Sequence, residues 1–197
     1  MTCIAGIVDG NNVWMGGDSA GVAGYDLSRR KDTKVFRINN RFLIGYTSSF
    51  RMGQLLRFNF DPPEQKKKIS DYEYLCTDFI EAVRKRLKKG GYTKIKENKE
   101  EGGSFLVGYS GRLYEVEDDF QVAERIDSFN SVGCGYAYAL SSLYMTKDEK
   151  EPKKRILQAL EVAEYFSIAV SRPFVVEKLT FDNNKKPEMA RPVKKGK

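Results

Sequence analysis

The sequence contains no histidine in its 197 residues. Without an imidazole, the chain cannot form a Ser-His-Asp or Cys-His nucleophile, or a zinc site that requires histidine. A base that works near neutral pH must then be a perturbed lysine or carboxylate, or an α-amino group. The α-amino group needs no tuning for this role, because its reference pKa is about 7.7–8.0.

Cysteine is scarce and scattered, the three residues being Cys3, Cys76 and Cys134. An odd number without a CxxC pair predicts neither a disulfide framework nor a metal site, and is typical of a reducing compartment. Long apolar runs are also missing, and the opening residues lack the basic and apolar regions of a secretory signal. We therefore expect a cytoplasmic protein without a membrane span, a metal or a cofactor.

Size and composition indicate one domain with its own core. Of the residues, 41% are hydrophobic and 12% aromatic, which is enough to bury a core in a chain of this length. We expect this domain to span residues 1–182 and a basic, disordered tail to follow at 183–197. The net charge of +7 lies largely in runs at 66–68, 84–89 and 185–197. No nucleic-acid-binding motif accompanies these runs, so we do not expect nucleic-acid binding.

The order of elements predicts an α+β fold of two packed sheets with helices outside each. Turn residues between apolar runs predict hairpins at Cys3–Val8 with Val13–Met15, at Lys34–Ile38 with Arg41–Tyr46, and at Phe105–Tyr109 with Leu113–Val116. Single strands are expected at Phe129–Val132 and Pro173–Leu179, and loops at Gly16–Arg30 and Gly90–Gly103. Helical periodicity predicts helices near Ser49–Phe58, Asp71–Lys88 and Gly135–Met145, and a last one from Pro152.

Hairpin register brings chemically useful groups to one end of a sheet. If the first hairpin turns at Gly10-Asn11, paired residue numbers sum to about 21, and Thr2 lies opposite Asp18 within one residue. The same arithmetic places Lys34 opposite Gly45, with the segment 46–49 just beyond the strand. With the two hairpins side by side, an amine, a hydroxyl, a carboxylate and a lysine meet.

These residues resemble the opening of proteasome β-subunits, and most closely that of the bacterial peptidase that works with a hexameric ATPase. The resemblance rests on Thr2, on Gly16-Gly17-Asp18, on Lys34-Val35 and on the turn Gly45–Ser49. The spacings of 16 residues from Thr2 to Asp18 and 32 to Lys34 match the family pattern. Further along, Gly133-Cys134-Gly135 resembles the family's Gly-Ser-Gly segment, and Ala159–Ile168 resembles its fourth helix.

The resemblance implies a four-layer α-β-β-α sandwich of two antiparallel sheets, the N-terminal nucleophile hydrolase fold. It also implies self-assembly into stacked rings, polypeptide substrates and an ATP-dependent unfoldase as partner. Thr2 would be the nucleophile after removal of Met1, with its own amine as base. Lys34 would supply positive charge, Asp18 would hold Lys34, and the Ser48 N–H would serve an oxyanion hole. The first specificity pocket would be lined by Gly21, Asp32, Phe36 and Tyr46.

Three departures from the family pattern leave a second reading open. The family's serine is replaced by Cys134, a weaker hydrogen-bond donor, which we expect to take over its supporting catalytic role. The family's aspartate in the fourth helix aligns with Glu164 or Tyr165, and its glycine pair at the oxyanion turn is Ser48-Ser49. The serines fit only if the backbone needs no positive φ there. The alternative function is a ring protein of weak or no activity that acts as scaffold or binding partner.

Overall fold

A computed structural model of the chain describes residues 2–181; Met1 and residues 182–197, which include the expected basic tail, lie outside the described residues. Within 2–181 there are thirteen strands and five α-helices. The strands are β1 (Cys3–Asp9), β2 (Asn12–Gly17), β3 (Ala20–Ala23), β4 (Asp26–Arg29), β5 (Val35–Ile38), β6 (Phe42–Tyr46), β7 (Lys94–Lys96), β8 (Lys99–Glu101), β9 (Phe105–Tyr109), β10 (Arg112–Val116), β11 (Val122–Glu124), β12 (Phe129–Gly133) and β13 (Val175–Thr180). The helices are α1 (Phe50–Phe58), α2 (Asp71–Tyr74), α3 (Ile80–Lys89), α4 (Tyr136–Met145) and α5 (Pro152–Phe166).

Two antiparallel sheets form the centre of the fold. Sheet one has the strand order β12-β1-β2-β13, and sheet two has the order β11-β10-β9-β6-β5. Both central strands of sheet one come from the first hairpin of the chain, so the residues next to Thr2 are hydrogen-bonded on both sides.

Three apolar clusters order the layers as helix, sheet, sheet, helix. The cluster between the sheets joins Ile4 and Met15 of sheet one to Leu43 and Leu106 of sheet two. A second cluster covers the outer face of sheet one with α4 and α5, and a third covers the outer face of sheet two with α1, α2 and α3. Each sheet thus buries both faces, as the α+β sandwich expected from the sequence requires.

The first hairpin has the register that the sequence predicts. Ile4 faces Gly17 and Asp9 faces Asn12, so paired numbers sum to 21. The chain start therefore lies beside the end of β2, where Asp18 follows directly. This agreement is local in origin, because the short Gly10-Asn11 turn alone fixes the pairing of its two strands.

The second hairpin is shifted by one residue from the predicted register. Ile38 pairs with Phe42 and Val35, not Lys34, pairs with Gly45. The reason is the turn, because Asn39 and Asn40 both take positive φ (49° and 51°) and Arg41 remains as an extra residue before β6 begins. Lys34 consequently precedes the strand, and its carbonyl accepts a hydrogen bond from the Tyr46 N–H at 3.0 Å.

Two segments expected as loops contain short hairpins. Strands β3 and β4 pair within the first, and β7 and β8 pair within the second. The sequence does not predict these hairpins, because β4 and β7 are exposed along their whole length and lack the apolar pattern of a half-buried strand. The structure also adds β11, which was not predicted, and interrupts the helix expected at Asp71–Lys88 with a π-helical turn at Leu75–Phe79.

Candidate active site

The site lies where β1 begins and β2 ends, beside the segment that follows β6. It brings Thr2, Asp18 and Lys34 together with the turn at 47–49, although these residues come from four separate segments of the chain. All three side chains belong to buried residues, with Thr2 at 4% and Asp18 and Lys34 at 2% exposure.

The carboxylate of Asp18 is surrounded by donors. Its Oδ1 accepts from the Cys3 N–H at 3.0 Å and from Lys34 Nζ at 2.9 Å, and its Oδ2 accepts from the Ala20 N–H at 2.8 Å. A longer bond of 3.5 Å comes from the Ser171 N–H, from the segment between α5 and β13. A buried carboxylate requires such partners, because burying an unpaired charge is costly.

Lys34 is fixed as firmly as its partner. Its Nζ also donates to the Ala20 carbonyl oxygen at 2.7 Å, and the side chains of Lys34 and Asp18 are 1% and 0% exposed. Burial lowers the pKa of Lys34 below its ordinary value, while the charge of Asp18 and its hydrogen bond act in the opposite direction. The result is a positive charge held in place beside Thr2.

Cys3, next to Thr2, is not a competing nucleophile. Its side chain is fully buried, and burial raises the pKa of its thiol to about 12. A thiol reacts as its thiolate, so Cys3 is unreactive at neutral pH.

A small cavity of about 90 Å³ opens at Thr2. Its polar lining comes from Thr2, Lys34 and the turn 47–49. Its apolar lining comes from Val22, Tyr46 and Phe50. Burial raises the pKa of the Tyr46 hydroxyl to about 12, so this wall is uncharged. The cavity thus places an apolar recess next to a hydroxyl and a lysine.

The serines at 48 and 49 were expected to fit only if the turn after β6 needed no positive φ. The turn does contain a residue with positive φ. Ser48 has φ 62°. Its Oγ accepts from the Ser104 N–H at 3.1 Å, and Thr47 Oγ1 donates to the Ser104 carbonyl oxygen at 2.7 Å. These bonds to the start of β9 hold the strained residue in the conformation that glycine adopts more easily.

The Gly133-Cys134-Gly135 segment contacts Thr2 through its backbone. A Cβ atom at Gly133, which has φ 95°, would lie 2.4 Å from the Thr2 carbonyl oxygen, and the Gly135 N–H donates to that oxygen at 3.3 Å. The side chain of Cys134 is exposed and does not line the cavity. The segment therefore positions Thr2 through its backbone, and the Cys134 thiol is not part of the cavity lining.

Neither candidate for the family's aspartate lines the cavity. Glu164 accepts from the N–H and the Nε of Arg172, both at 2.7 Å. Tyr165 is 83% exposed and contacts Phe166 edge to face.

The four residues expected in the specificity pocket occupy different positions. Tyr46 lines the cavity, whereas Phe36 is buried in the core between sheet two and its helices. Asp32 binds Arg30 through two hydrogen bonds of 2.8 Å. Gly21 lies under the stem of Arg30, because a Cβ there would be 2.8 Å from Arg30 Cδ.

Sequence reasoning missed several residues of the site. Val22 and Phe50 line the cavity, and Ser171 contributes its N–H to Asp18. Phe50 directly follows the predicted turn segment 46–49, so its proximity could have been inferred from the turn. Ser171 offers no such signal, since 153 residues separate it from Asp18.

Between residues 2 and 181, no three His, Cys, Asp or Glu side chains cluster as metal ligands would. Over the same range, every helix is too short or too polar to cross a bilayer.

The layers define the proteasome-like N-terminal nucleophile hydrolase fold, and solved structures agree. BPH from Thiobacillus denitrificans, in complex with epoxomicin, has a TM-score of 0.77 at 14% identity, covering 92% of this chain and 100% of that one. Eukaryotic HslV from Trypanosoma brucei has 0.65 at 17% identity, covering 91% and 99%. Anbu, an ancestral beta-subunit, from Yersinia bercovieri has 0.62 at 14% identity, covering 91% and 82%. No protein-family model and no curated protein matches the sequence.

Proposed function

We propose that the chain is a threonine-type endopeptidase subunit, in which Thr2 becomes the nucleophile once Met1 is removed. The observation that carries this proposal is the buried Asp18–Lys34 pair, 2.9 Å between Oδ1 and Nζ, at the wall of the cavity that Thr2 lines. A buried ion pair is weak evidence for stability, since its desolvation offsets much of its attraction. A positive charge beside the Thr2 hydroxyl can, however, favour the alkoxide that develops when this hydroxyl attacks a substrate.

In the proposed reaction, Thr2 Oγ attacks the scissile carbonyl carbon and its proton passes to the free α-amine of Thr2. The C–N bond then breaks, the leaving amine takes that proton, and the acyl group remains on Oγ as an ester. Water hydrolyses the ester with the same amine as base. The charge of Lys34 favours the alkoxide that develops at Oγ, and Asp18 keeps the ammonium in position.

Ser48 is proposed as the oxyanion donor. The residue lines the cavity next to Thr2, and the Ser104 N–H holds its side chain at 3.1 Å. The positive φ of Ser48 sets the direction of its own backbone N–H, which gives the strain at this residue a function. A positioned donor of this kind contributes about 10²–10³ in rate.

Self-assembly is the second part of the proposal. The outer side of α4 and α5 exposes Tyr136 (52%), Tyr165 (83%), Phe166 (61%) and the following Ile168 (90%). A cluster of exposed aromatic residues is typical of an interaction surface. We propose that another copy of the chain covers it in a closed ring assembly. An ATP-dependent unfoldase would deliver polypeptides to that assembly in the cytoplasm.

A ring protein of weak or no activity remains the alternative. It is favoured by the exposure of Cys134, at the position of the resembled family's serine, and of Tyr165, one of two candidates for the position of its aspartate. Both readings share the fold and the assembly. They differ in whether Thr2 reacts.

The experiment compares peptide hydrolysis by the purified wild type, by Thr2→Ala and by the matched control Thr146→Ala at the end of α4. Intact mass first establishes that Met1 is absent. We expect Thr2→Ala to lose hydrolysis and Thr146→Ala to keep it. Epoxomicin, which the BPH structure contains, should inhibit the wild type and add its mass to it, but not to Thr2→Ala. Hydrolysis by Thr2→Ala would overturn the mechanism, and an inactive wild type without Met1 would favour the scaffold.

A further inference from the structure

Helices α1 and α3, on the outer side of sheet two, carry an excess of positive charge. There are two cationic side chains on α1 and five on α3, against one acidic side chain, Glu81. Arg84 forms ion pairs with Glu81 and Glu100. The other cations of this surface, the α1–α3 face, form no ion pair with any carboxylate of residues 2–181; they are Arg51, Arg57, Lys85, Arg86, Lys88 and Lys89. A surface with such an excess of one sign attracts a partner of the opposite sign.

Hydrogen bonds between the two helices hold two of these guanidinium groups in place. Arg51 Nη2 donates to the Gly90 carbonyl oxygen at 3.4 Å, and Arg86 Nη1 donates to the Asn59 carbonyl oxygen at 3.1 Å. Each acceptor belongs to the residue that caps the C-terminus of the other helix. A carbonyl group orients a cation but does not neutralise it. The cations are therefore fixed before a partner binds, which lowers the entropic cost of binding.

Arg57 and Phe58 add an apolar contact point to the α1–α3 face. The side chain of Phe58 is 70% exposed. The guanidinium carbon of Arg57 lies 5.3 Å from the centroid of the Phe58 ring and 5.6 Å from that of Phe36 in β5. Aromatic and arginine side chains dominate the binding energy of many interfaces, whereas exposed ion pairs alone contribute little. The face thus combines charge with an aromatic anchor.

The turn between β10 and β11 carries the opposite charge. Its residues Glu117, Asp118 and Asp119 are exposed and form no ion pair within residues 2–181. Phe120 anchors this acidic turn, because its ring is buried in the core beside sheet two and lies 2.6 Å from the Cβ position of Gly102. The Gly102 N–H also donates to the Asp118 carbonyl oxygen at 2.7 Å. The acidic turn is therefore a fixed projection, complementary in charge to the α1–α3 face.

The two complementary surfaces lie toward opposite edges of sheet two. Strand β11, which follows the acidic turn, forms one edge of the sheet, and β5, on which Arg57 packs, forms the other. Between identical copies, a contact of opposite edges is heterologous, and such contacts close into a ring when the rotation permits. Because the chain itself presents both halves of the contact, the observations favour a second copy over nucleic acid as the partner.

We propose that the acidic turn of one copy binds the α1–α3 face of the next copy, so that charge complementarity sets a head-to-tail orientation. This inference rests on the proposed ring assembly and is independent of whether Thr2 reacts. It adds a second contact to the aromatic cluster on α4 and α5, which lies on the outer side of the other sheet. One copy can therefore use both surfaces at the same time.

Charge reversal tests the contact, with sedimentation velocity as the measurement. Glu117→Lys with Asp118→Lys reverses the acidic turn, and Arg57→Glu with Lys85→Glu reverses the α1–α3 face. Each pair of substitutions alone should raise the protein concentration needed for assembly by about tenfold or more, because like charges then meet at the contact. The chain with all four substitutions should assemble again, since its turn and its face have exchanged signs. This recovery also excludes misfolding as the cause of the loss.

The matched control reverses two other lysines, by Lys67→Glu with Lys68→Glu. Both lysines are exposed, form no ion pair within residues 2–181 and lie outside the α1–α3 face. The control changes the net charge as much as the reversal of the face does, and it should assemble like the wild type. Wild-type assembly by either reversed pair would overturn the inference. Loss of assembly in the control, or a fourfold variant that stays unassembled, would do the same.

Further outcomes separate this contact from the ring proposal and from another partner. A wild type that sediments as a monomer overturns both the ring and the contact, whereas an assembled wild type with unaffected reversed variants overturns the contact alone. Fluorescence anisotropy with a labelled single-stranded oligonucleotide tests nucleic acid as the partner. Binding by the wild type that Arg57→Glu with Lys85→Glu abolishes, together with an unassembled fourfold variant, would assign the face to nucleic acid and overturn the inference.

Discussion

Gly103 lies directly against Ser48, so that a Cβ atom at position 103 would be 2.8 Å from the Cβ of Ser48 and 2.8 Å from Met52 Sδ. The side chain of Ser48 thus occupies space that only glycine at 103 leaves open. Because Ser48 holds the proposed oxyanion donor at φ 62°, the two residues set the direction of that donor together.

Gly103→Ala should therefore lower peptidase activity by about 10-fold or more, because the displaced Ser48 N–H no longer meets the oxyanion. Ser48→Gly alone should keep activity, since glycine accepts the positive φ. The double variant should recover much of the activity, because the Ser48 side chain that the added methyl group meets has been removed. Steady-state kinetics with a fluorogenic peptide check this, and a double variant no better than Gly103→Ala would contradict it.

Lys34→Met should abolish activity and also destabilise the fold, because Asp18 would keep a buried charge without its cation. Removal of one partner of a buried pair costs about 3–5 kcal/mol of unfolding free energy. Adding Asp18→Asn should restore part of the stability without restoring activity. Urea denaturation measures the free energy of unfolding, and peptide hydrolysis measures the activity. Activity in the stabilised double variant would exclude a catalytic role for the Lys34 charge.

The pH profile of kcat/KM should be bell-shaped. Activity rises as the Thr2 amine loses its proton, at about pH 7.7–8.0 for an unperturbed amine. It falls as Lys34 loses its charge, and the lowered pKa of Lys34 places this limb below the ordinary value of 10.5. A rate still increasing above pH 10.5 would exclude a need for charged Lys34.

The lowered pKa of Lys34 also predicts how the free energy of unfolding depends on pH. Between the lowered folded pKa of Lys34 and its ordinary value of 10.5, the unfolded chain binds more protons, so the free energy of unfolding rises with pH. Below that window the penalty for burying the charge is fully present. Denaturation at several pH values should show a steeper rise for the wild type than for Lys34→Met combined with Asp18→Asn.

Cys134 should react with iodoacetamide in the native protein before Cys3, because Cys134 is exposed and Cys3 is buried with a pKa of about 12. Mass spectrometry after short labelling measures the order. Cys134→Ala should reduce kcat less than about 10-fold if only the backbone of this segment supports Thr2. A larger loss would assign the thiol itself a catalytic role.

Phe166→Glu should disrupt assembly, since it places a charge in the exposed aromatic cluster on α5. Tyr25→Glu is the matched control, because Tyr25 is fully exposed at the turn between β3 and β4, outside that cluster. Sedimentation velocity should show a smaller species for Phe166→Glu alone. Equal sedimentation of both variants would place the interface elsewhere.

The sequence predicts those parts of the site that depend on local pairing. The Asp-Gly-Asn-Asn turn sets the register that carries Asp18 to the chain start, and the α+β layering follows from the order of elements. The extra Arg41 in the second turn shifted the other register by one residue, which only the backbone conformation of Asn39 and Asn40 reveals. The role of Thr2 as nucleophile stays a prediction.

Contacts between distant segments could not be predicted in this way. Gly103 beneath Ser48 and the Ser171 N–H at Asp18 depend on how whole layers pack, and no spacing or periodicity encodes them. Arg30 illustrates the same limit, because its partner Asp32 is near in sequence but Phe50 reaches it only through the fold.

Ser171 is synthesised 153 residues after Asp18, which affects the order in which the site forms. The first 18 residues leave the ribosome with the hydroxyl and the carboxylate already encoded, yet β1 pairs with β12 only after residue 133, and the Ser171 N–H reaches Asp18 later still. A nascent chain thus carries Thr2, the proposed nucleophile, long before it has the surroundings that would activate this residue. Under the proposed mechanism, the order of synthesis would therefore keep the peptidase inactive until the last strands of the fold have been made.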